Sequence, residues 1–236
     1  MTKNELQSQK ASGRDRTTRL DPPAFDPSSI WNALSRTPGV GVSITDCDGQ
    51  LVFVNDTALV LFSESADVDY RGKTIADFHS APFVAERLAM IRSVIKDGKP
   101  LSISHVYHGQ RIKSTVWPIR DNTPPNNRVI VVSHLQTGDQ ELGLTSAPDT
   151  IATKYIELGA LNVLTRRELE VFVLLGHGLS VPRVAALLHR SPKTIQRHKS
   201  AISDKLHLRG QAELVSIVAA AGLEISDAHL ERLPPR

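Results

Sequence analysis

The sequence predicts an α+β chain in two parts: a five-stranded antiparallel sheet with helices, then an all-α domain of four helices. Three observations carry that prediction. In the first half, two strand-like runs precede the helical patterns and three follow them. In the second half only helical spacing occurs, punctuated by capping residues. Charge separates the halves too: residues 31–140 carry eleven bases and eleven acids, while residues 160–210 carry nine bases and three acids. Such a local positive excess is what a polyanionic partner would feel.

Val40 to Thr45 is a short apolar run, and Gln50 to Val54 returns after Asp46-Cys47-Asp48-Gly49, a strong hairpin signal. Asn55 stands where an N-cap belongs, ahead of Ala58, Leu59 and Phe62. Val84, Leu88, Ile91 and Ile95 recur at helical spacing from about Ala81 to Lys96, and Gly98 stops that helix. Leu101 to His108, Arg111 to Pro118 and Arg128 to His134 close the block as strands, the first two meeting at Gly109-Gln110.

Four helices are expected over 164–222. Thr165 and Glu168 form a capping box for the first, which Gly176 and Gly178 end. The second follows Ser180 and tolerates Pro182 in its first turn. After a tight turn, Ser191 caps the third helix, with Pro192 at its first position, and the helix runs to about Leu206. Its inner face is Ile195, Ile202 and Leu206; Lys193, Gln196, Arg197, Lys199 and Ser200 face outward. The fourth helix, after Gly210, offers Leu214, Ile217, Val218 and Ala221.

These patterns divide the chain into a disordered tail (1–28), a mixed α and β domain (29–136), a linker (137–159), a four-helix domain (160–225) and a C-terminal tail (226–236). In the linker, Ile151, Tyr155 and Leu158 fall on one helical face. Cys47 has no partner for an intrachain disulfide. The polar N-terminus has no signal-peptide core, and Leu214 to Leu223, the longest apolar stretch, is about half a membrane span. A soluble cytoplasmic protein without membrane attachment is expected.

A short helix, a tight turn and a second helix with basic and amide side chains in its first two turns is the helix-turn-helix arrangement. Such a helix enters the major groove, where Arg can bond a guanine and Gln an adenine. This block is similar to the LuxR-type DNA-binding domain. The similarity rests on Leu164-Thr165-Arg166-Arg167-Glu168, Glu170-Val171, Gly178-Leu179-Ser180, Val184-Ala185 and Leu188, then Ser191, Thr194-Ile195, His198, Ile202, Lys205-Leu206 and Glu213-Leu214. It implies that Gln196, Arg197 and Ser200 face bases, that Lys193, Thr194, His198 and Lys199 lie nearer the backbone, and that the last helix dimerises. Val181-Pro182 departs from the family's polar residue followed by Lys, so no phosphate contact is carried to that position; Arg183 is a candidate substitute.

The first block resembles a PAS domain, on the strand–Asp48-Gly49–strand hairpin, Asn55 opening a short helix, Gly72 and the three closing strands. That implies a five-stranded sheet whose concave face holds a small ligand or cofactor, or packs against a partner. The reactive-Cys motif of the flavin-photoadduct branch is missing, since Cys47 lies in the hairpin turn.

Other chemistries are weaker. His105 and His108, three apart on a strand, point to opposite faces and cannot chelate together, so no metal site is expected. His79 is a candidate haem ligand or a polar loop residue, and Trp117 is core or pocket wall, with core favoured. Gly72-Lys73-Thr74 lacks the upstream glycine of a phosphate loop, Gly39-Val40-Gly41 lacks a third glycine, and no nucleophile-elbow serine occurs. The sequence thus points to a non-enzymatic transcription regulator, and nothing in it requires a cofactor, whose identity the sequence leaves open. It would bind double-stranded DNA as a homodimer, under control of a small ligand or protein partner at the PAS-like domain. Two alternatives stand: an interaction module recruited to DNA through a partner, and a haem- or flavin-bearing redox sensor.

Overall fold

Two capping side chains set the first half of the chain. The Asp46 carboxylate accepts from the Asp48 and Gln50 amides, both at 2.9 Å, and turns β1 (Gly41–Asp46) into β2 (Leu51–Val54) through Gly49 at φ +89°. Asn55, buried, then opens α2 (Asp56–Ser63). Its Oδ1 accepts from the Ala58 amide (2.9 Å) and the Val42 amide (2.8 Å). Its Nδ2 donates to the carbonyls of Ser35 (2.9 Å) and Val40 (2.8 Å). One amide group therefore fastens a helix start, a strand and the chain leaving α1 (Pro27–Arg36).

The computed structural model describes residues 26–63, 65–120, 125–136 and 148–233. Most of the expected N-terminal tail, and residues 137–147 of the expected linker, lie outside the described residues. After a 3-10 turn at Ile75–Asp77, α3 (Ala81–Asp97) ends at Gly98 in the left-handed region, φ +67°. Strands β3 (Leu101–Tyr107), β4 (Gln110–Pro118) and β5 (Arg128–Leu135) follow. These five strands form an antiparallel array in the order β2-β1-β5-β4-β3.

Three sequence expectations need correction. The β3–β4 turn sits one residue earlier than read, at His108-Gly109, because Tyr107 pairs with Gln110. Both turn residues take positive φ (50° and 71°), the type I′ geometry that matches strand twist. Ile151, Tyr155 and Leu158 do not share a helix. Thr150–Ala152 is strand β6, which pairs in parallel with β3 and makes a sixth strand, and Tyr155–Ile156 is strand β7. The open edge of β3 offers backbone donors and acceptors that a three-residue segment satisfies better than a single helical turn. Trp117 is neither core nor pocket wall: it is 45% exposed, on the sheet face away from α3. Helix α1 has no counterpart in the sequence reading; its Asp26 cap and Pro27 start were its signals.

The second half is the expected four helices: α4 (Arg166–Gly176), α5 (Val181–Leu187), α6 (Pro192–Leu206) and α7 (Gln211–Ala221). Thr165 and Glu168 close the capping box, with the Thr165 amide 2.7 Å from Glu168 Oε2. Leu169, Phe172, Leu175, Ile195, Ile202 and Leu214 are fully buried, each contributing about 1.5–3 kcal/mol of burial. Helix α4 lies so close to α7 that a methyl on Gly176 would sit 2.4 Å from Val218. Beyond α7, Ile225–His229 forms a 3-10 turn and Glu231–Arg232 forms strand β8, parallel to β7. Residues read as a tail thus close a small sheet. No helix among the described residues is long and apolar enough to cross a membrane.

Replacing Asn55 with Ala removes four hydrogen bonds and takes this partner from two buried amides, of Val42 and Ala58, and from the carbonyls of Ser35 and Val40. It should cost about 3 kcal/mol in chemical denaturation. A loss under 1 kcal/mol would show that the cap is not what organises the first half.

Candidate nucleic-acid interface and sensory cavity

In the helical domain, α5, the turn 188–191 and α6 make the helix-turn-helix. Ser191 Oγ accepts from the Thr194 amide at 3.1 Å, and His189 takes the left-handed conformation that lets the turn close. Arg167 Nη2 donates to the Leu188 carbonyl (3.0 Å), holding the end of α5 against α4. Lys205 Nζ reaches Glu168 Oε2 at 2.6 Å and holds the far end of α6. Burial opposes the charged form of Glu168, but the Lys205 ammonium and the Thr165 groups outweigh it and hold the carboxyl below its ordinary range.

With Ile195 and Ile202 inward, Lys193, Gln196, Arg197 and Ser200 are all exposed. At 3.6 residues per turn these four lie within about 100° of one another. Thr194 and Lys199 flank that face, half-buried, and the Thr194 hydroxyl is already 2.9 Å from Ser191 Oγ. His198 is half-buried and turned toward the domain. Among the described residues Lys193, Arg197 and Lys199 form no ion pair, and neither do the exposed Arg183 and Arg190. The sequence reading passed over Arg190, whose place in the turn just before Ser191 was the available signal. Asp204 lies on the same exposed face, one turn past Ser200.

The second site is a cavity of about 130 Å³ between the concave face of the sheet and α2, the 3-10 turn and α3. Its walls are mainly apolar, from Leu59, Phe62, Phe83, Ile91, Ile103 and Val116. One end is polar. Arg87 Nη2 donates to His105 Nδ1 at 2.7 Å, and the guanidinium lies 4.5 Å over the Phe83 ring. Because Arg87 only donates, His105 carries its ring proton on Nε2, which faces Ser114 Oγ at 3.3 Å; Ser114 in turn meets Ser133 at 2.9 Å. Burial draws the Arg87 guanidinium down to about 10, against the pull of Glu86 and Tyr107. Burial, then the charges of Arg87, His79 and Arg111, put His105 well below its ordinary value, so the ring is neutral.

His79 lines this cavity and is half-buried, with Nδ1 2.6 Å from the Tyr107 hydroxyl. A haem or flavin does not fit the space, since a cavity of about 150 Å³ takes a single benzene ring. The sequence reading missed Arg87, although its spacing between Phe83 and Ile91 puts a charge on the apolar face of α3.

Arg111 connects the two sites. It is buried on β4, and it donates to the Gly222 carbonyl after α7 (2.6 Å), to Ser104 Oγ on β3 (3.0 Å) and to the Asp227 carboxylate. Burial raises the Asp227 carboxyl, with the Arg111 charge opposing it. Nearby, His108 Nδ1 lies 2.9 Å from Glu157, and Val106 of β3 is part of the helical domain's core.

The His105 geometry makes a pH prediction. The unfolded chain protonates this histidine near 6.5, the folded chain only well below it. The unfolded state therefore binds the extra proton, and stability falls as pH drops below about 6.5. Tm measured from pH 7.5 to pH 5 should decline less steeply in His105→Gln than in the parent; parallel curves would contradict a neutral buried ring.

Residues 162–218 match the family described as bacterial regulatory proteins, luxR family. The chain is 38% identical over 63 residues to the transcriptional activator protein ExaE of Pseudomonas putida, a match covering 27% of this chain and 29% of that protein. It is 34% identical over 90 residues to the transcriptional regulatory protein UhpA of Salmonella typhimurium, covering 38% and 43%. The chain thus spans less than half the length of either relative. Among solved structures, VqmA of Vibrio cholerae in a ligand–DNA complex aligns over 84% of this chain and 88% of its own, with 20% identity and a TM-score of 0.47. The PAS domain of BvgS from Bordetella pertussis aligns over 49% and 89%, with 21% identity and a TM-score of 0.39. Residues 162–218, which span most of α4 to α7, thus carry a domain that matches the luxR family.

Proposed function

We propose that this chain is a DNA-binding transcription regulator whose helix α6 reads the major groove and whose PAS-like cavity holds a controlling ligand. The observation that carries this reading is the exposed face of Lys193, Gln196, Arg197 and Ser200 on the second helix of the motif, whose cations form no ion pair among the described residues. Gln196, Arg197 and Ser200 are assigned to base edges. Lys193 at the helix start, and Thr194, His198 and Lys199 beside the face, are assigned to the backbone. Thr194 meets Ser191 through both its hydroxyl and its amide, so it serves the backbone by its place at the positive end of the helix rather than by a free donor. Nothing in this assignment requires catalysis.

A single domain of this size makes few base contacts, so a homodimer on a two-fold site is the natural binding unit. An apolar row supports self-association. Phe53, Ile44, Ile130 and Trp117 are aligned across four strands on the outer sheet face, beside Trp31 of α1 at 4.8 Å from Phe53. Control through the cavity is supported by the shared wall: β3 and β4 line it and, through Arg111 and Val106, also contact the helical domain.

Arg197→Ala should weaken binding to a preferred site by about 1–3 kcal/mol and relax selection at one base pair. Lys193→Ala should weaken specific and random DNA alike and lower the salt slope by about one. Fluorescence anisotropy with both DNAs across a salt series separates the two. Equal losses on both DNAs for Arg197→Ala would remove its base-reading role.

A further inference from the structure

The polar end of the cavity has a charge that the protein answers only in part. Arg87 makes one strong hydrogen bond, to His105, and a longer contact with the Met90 sulfur at 3.4 Å. Its carboxylate neighbour, Glu86, stays 3.5 Å from Nη1. The Glu86 oxygens make their hydrogen bonds elsewhere: Oε2 accepts from Thr153 Oγ1 at 2.6 Å and Oε1 from the Lys154 amide at 2.9 Å. A guanidinium presents five donors in a planar fork that matches a carboxylate, and a desolvated one gains most from an ionised acceptor.

His105 accepts from Arg87, so its remaining ring nitrogen carries the hydrogen, which faces Ser114 Oγ at 3.3 Å; Ser114 meets Ser133 in turn, so these groups pair with one another and Arg87 is the donor that a ligand would meet. A cation entering here meets a buried positive charge. An uncharged apolar molecule adds no acceptor for the guanidinium beyond His105 and the longer contact with Glu86. Beside this pole the walls are Leu59, Phe62 and Ile103, with the Phe62 ring 5.7 Å from that of His105, and the space admits about one six-membered ring.

We infer that the cavity takes a small organic monocarboxylate, its compact apolar body against Phe62 and Ile103 and its head on Arg87. This inference rests on the reading of the cavity as the ligand site, and it names the class of ligand. It also places the incoming charge next to Glu86, whose oxygens hold the 153–154 segment between the sheet and the helical domain.

The test uses the full-length chain and three ring-sized probes of different charge: benzoate, benzamide and benzylamine. A branched pair, isovalerate and isovaleramide, covers a different body shape. Binding is measured by isothermal titration calorimetry, with saturation-transfer NMR for weak cases. The expected order is carboxylate at least about tenfold tighter than the amide of the same shape, with benzylamine weakest. Arg87→Met should abolish that preference, while Arg87→Lys should keep the order and weaken the carboxylate. If Arg87→Met does not fold, the parent ranking and Arg87→Lys decide the matter. Amides binding as well as carboxylates, or a preference that survives in Arg87→Met, would overturn the ligand class and leave the cavity as a ligand site. No binding by any of the five probes at millimolar concentration would overturn the class and the cavity reading together.

Discussion

One buried guanidinium is the hub of the contacts that join the two halves of this molecule. Arg111 leaves β4 and meets the Gly222 carbonyl at the end of α7, the Ser104 hydroxyl on β3 and the Asp227 carboxylate in the following 3-10 turn. Both ionised partners are removed from water, so the pair gains little over an apolar contact of equal size. Deleting one partner, however, costs about 3–5 kcal/mol, because the other is left buried and alone. Arg111 therefore fixes where the helical domain sits more than it adds to stability. The parallel pairing of β7 with β8 and the His108–Glu157 pair work from the same side of the hairpin.

Strand alternation gives that placement its meaning. Along β3 and β4, Ile103, His105, Ser114 and Val116 face the cavity, while Ser104, Val106 and Arg111 face the helical domain. A shift of one residue in this hairpin would exchange the two sets. The His108-Gly109 turn, with both residues at positive φ, fixes the register. One two-stranded ribbon is thus the common wall of the cavity and the helix-turn-helix domain.

Much of this was legible in the residues. The hairpin at Asp46–Gly49, the Asn55 cap, Gly98 and the Thr165–Glu168 box are local signals, and local signals survive folding. The outward face of α6 followed from helical spacing once Ile195 and Ile202 were placed inside. What sequence could not supply was non-local. Thr150–Ala152 is a strand only because β3 has a free edge, and Glu231–Arg232 is one only because Tyr155–Ile156 lies alongside. Trp117 reads as core by type, yet its strand parity turns it outward. Arg87 and His105 were single polar residues in apolar surroundings, and only the fold brings them within 2.7 Å.

The central claim is that α6, held by this scaffold, selects a DNA sequence. The most direct measurement is selection by the full-length chain from a pool of random duplexes, followed by affinity across a salt series for the enriched sequence. The account predicts an inverted repeat with half-sites about one helical turn apart, bound as a dimer far more tightly than the unselected pool. No enriched sequence, or affinities for selected and random DNA that stay equal at every salt concentration, would contradict it.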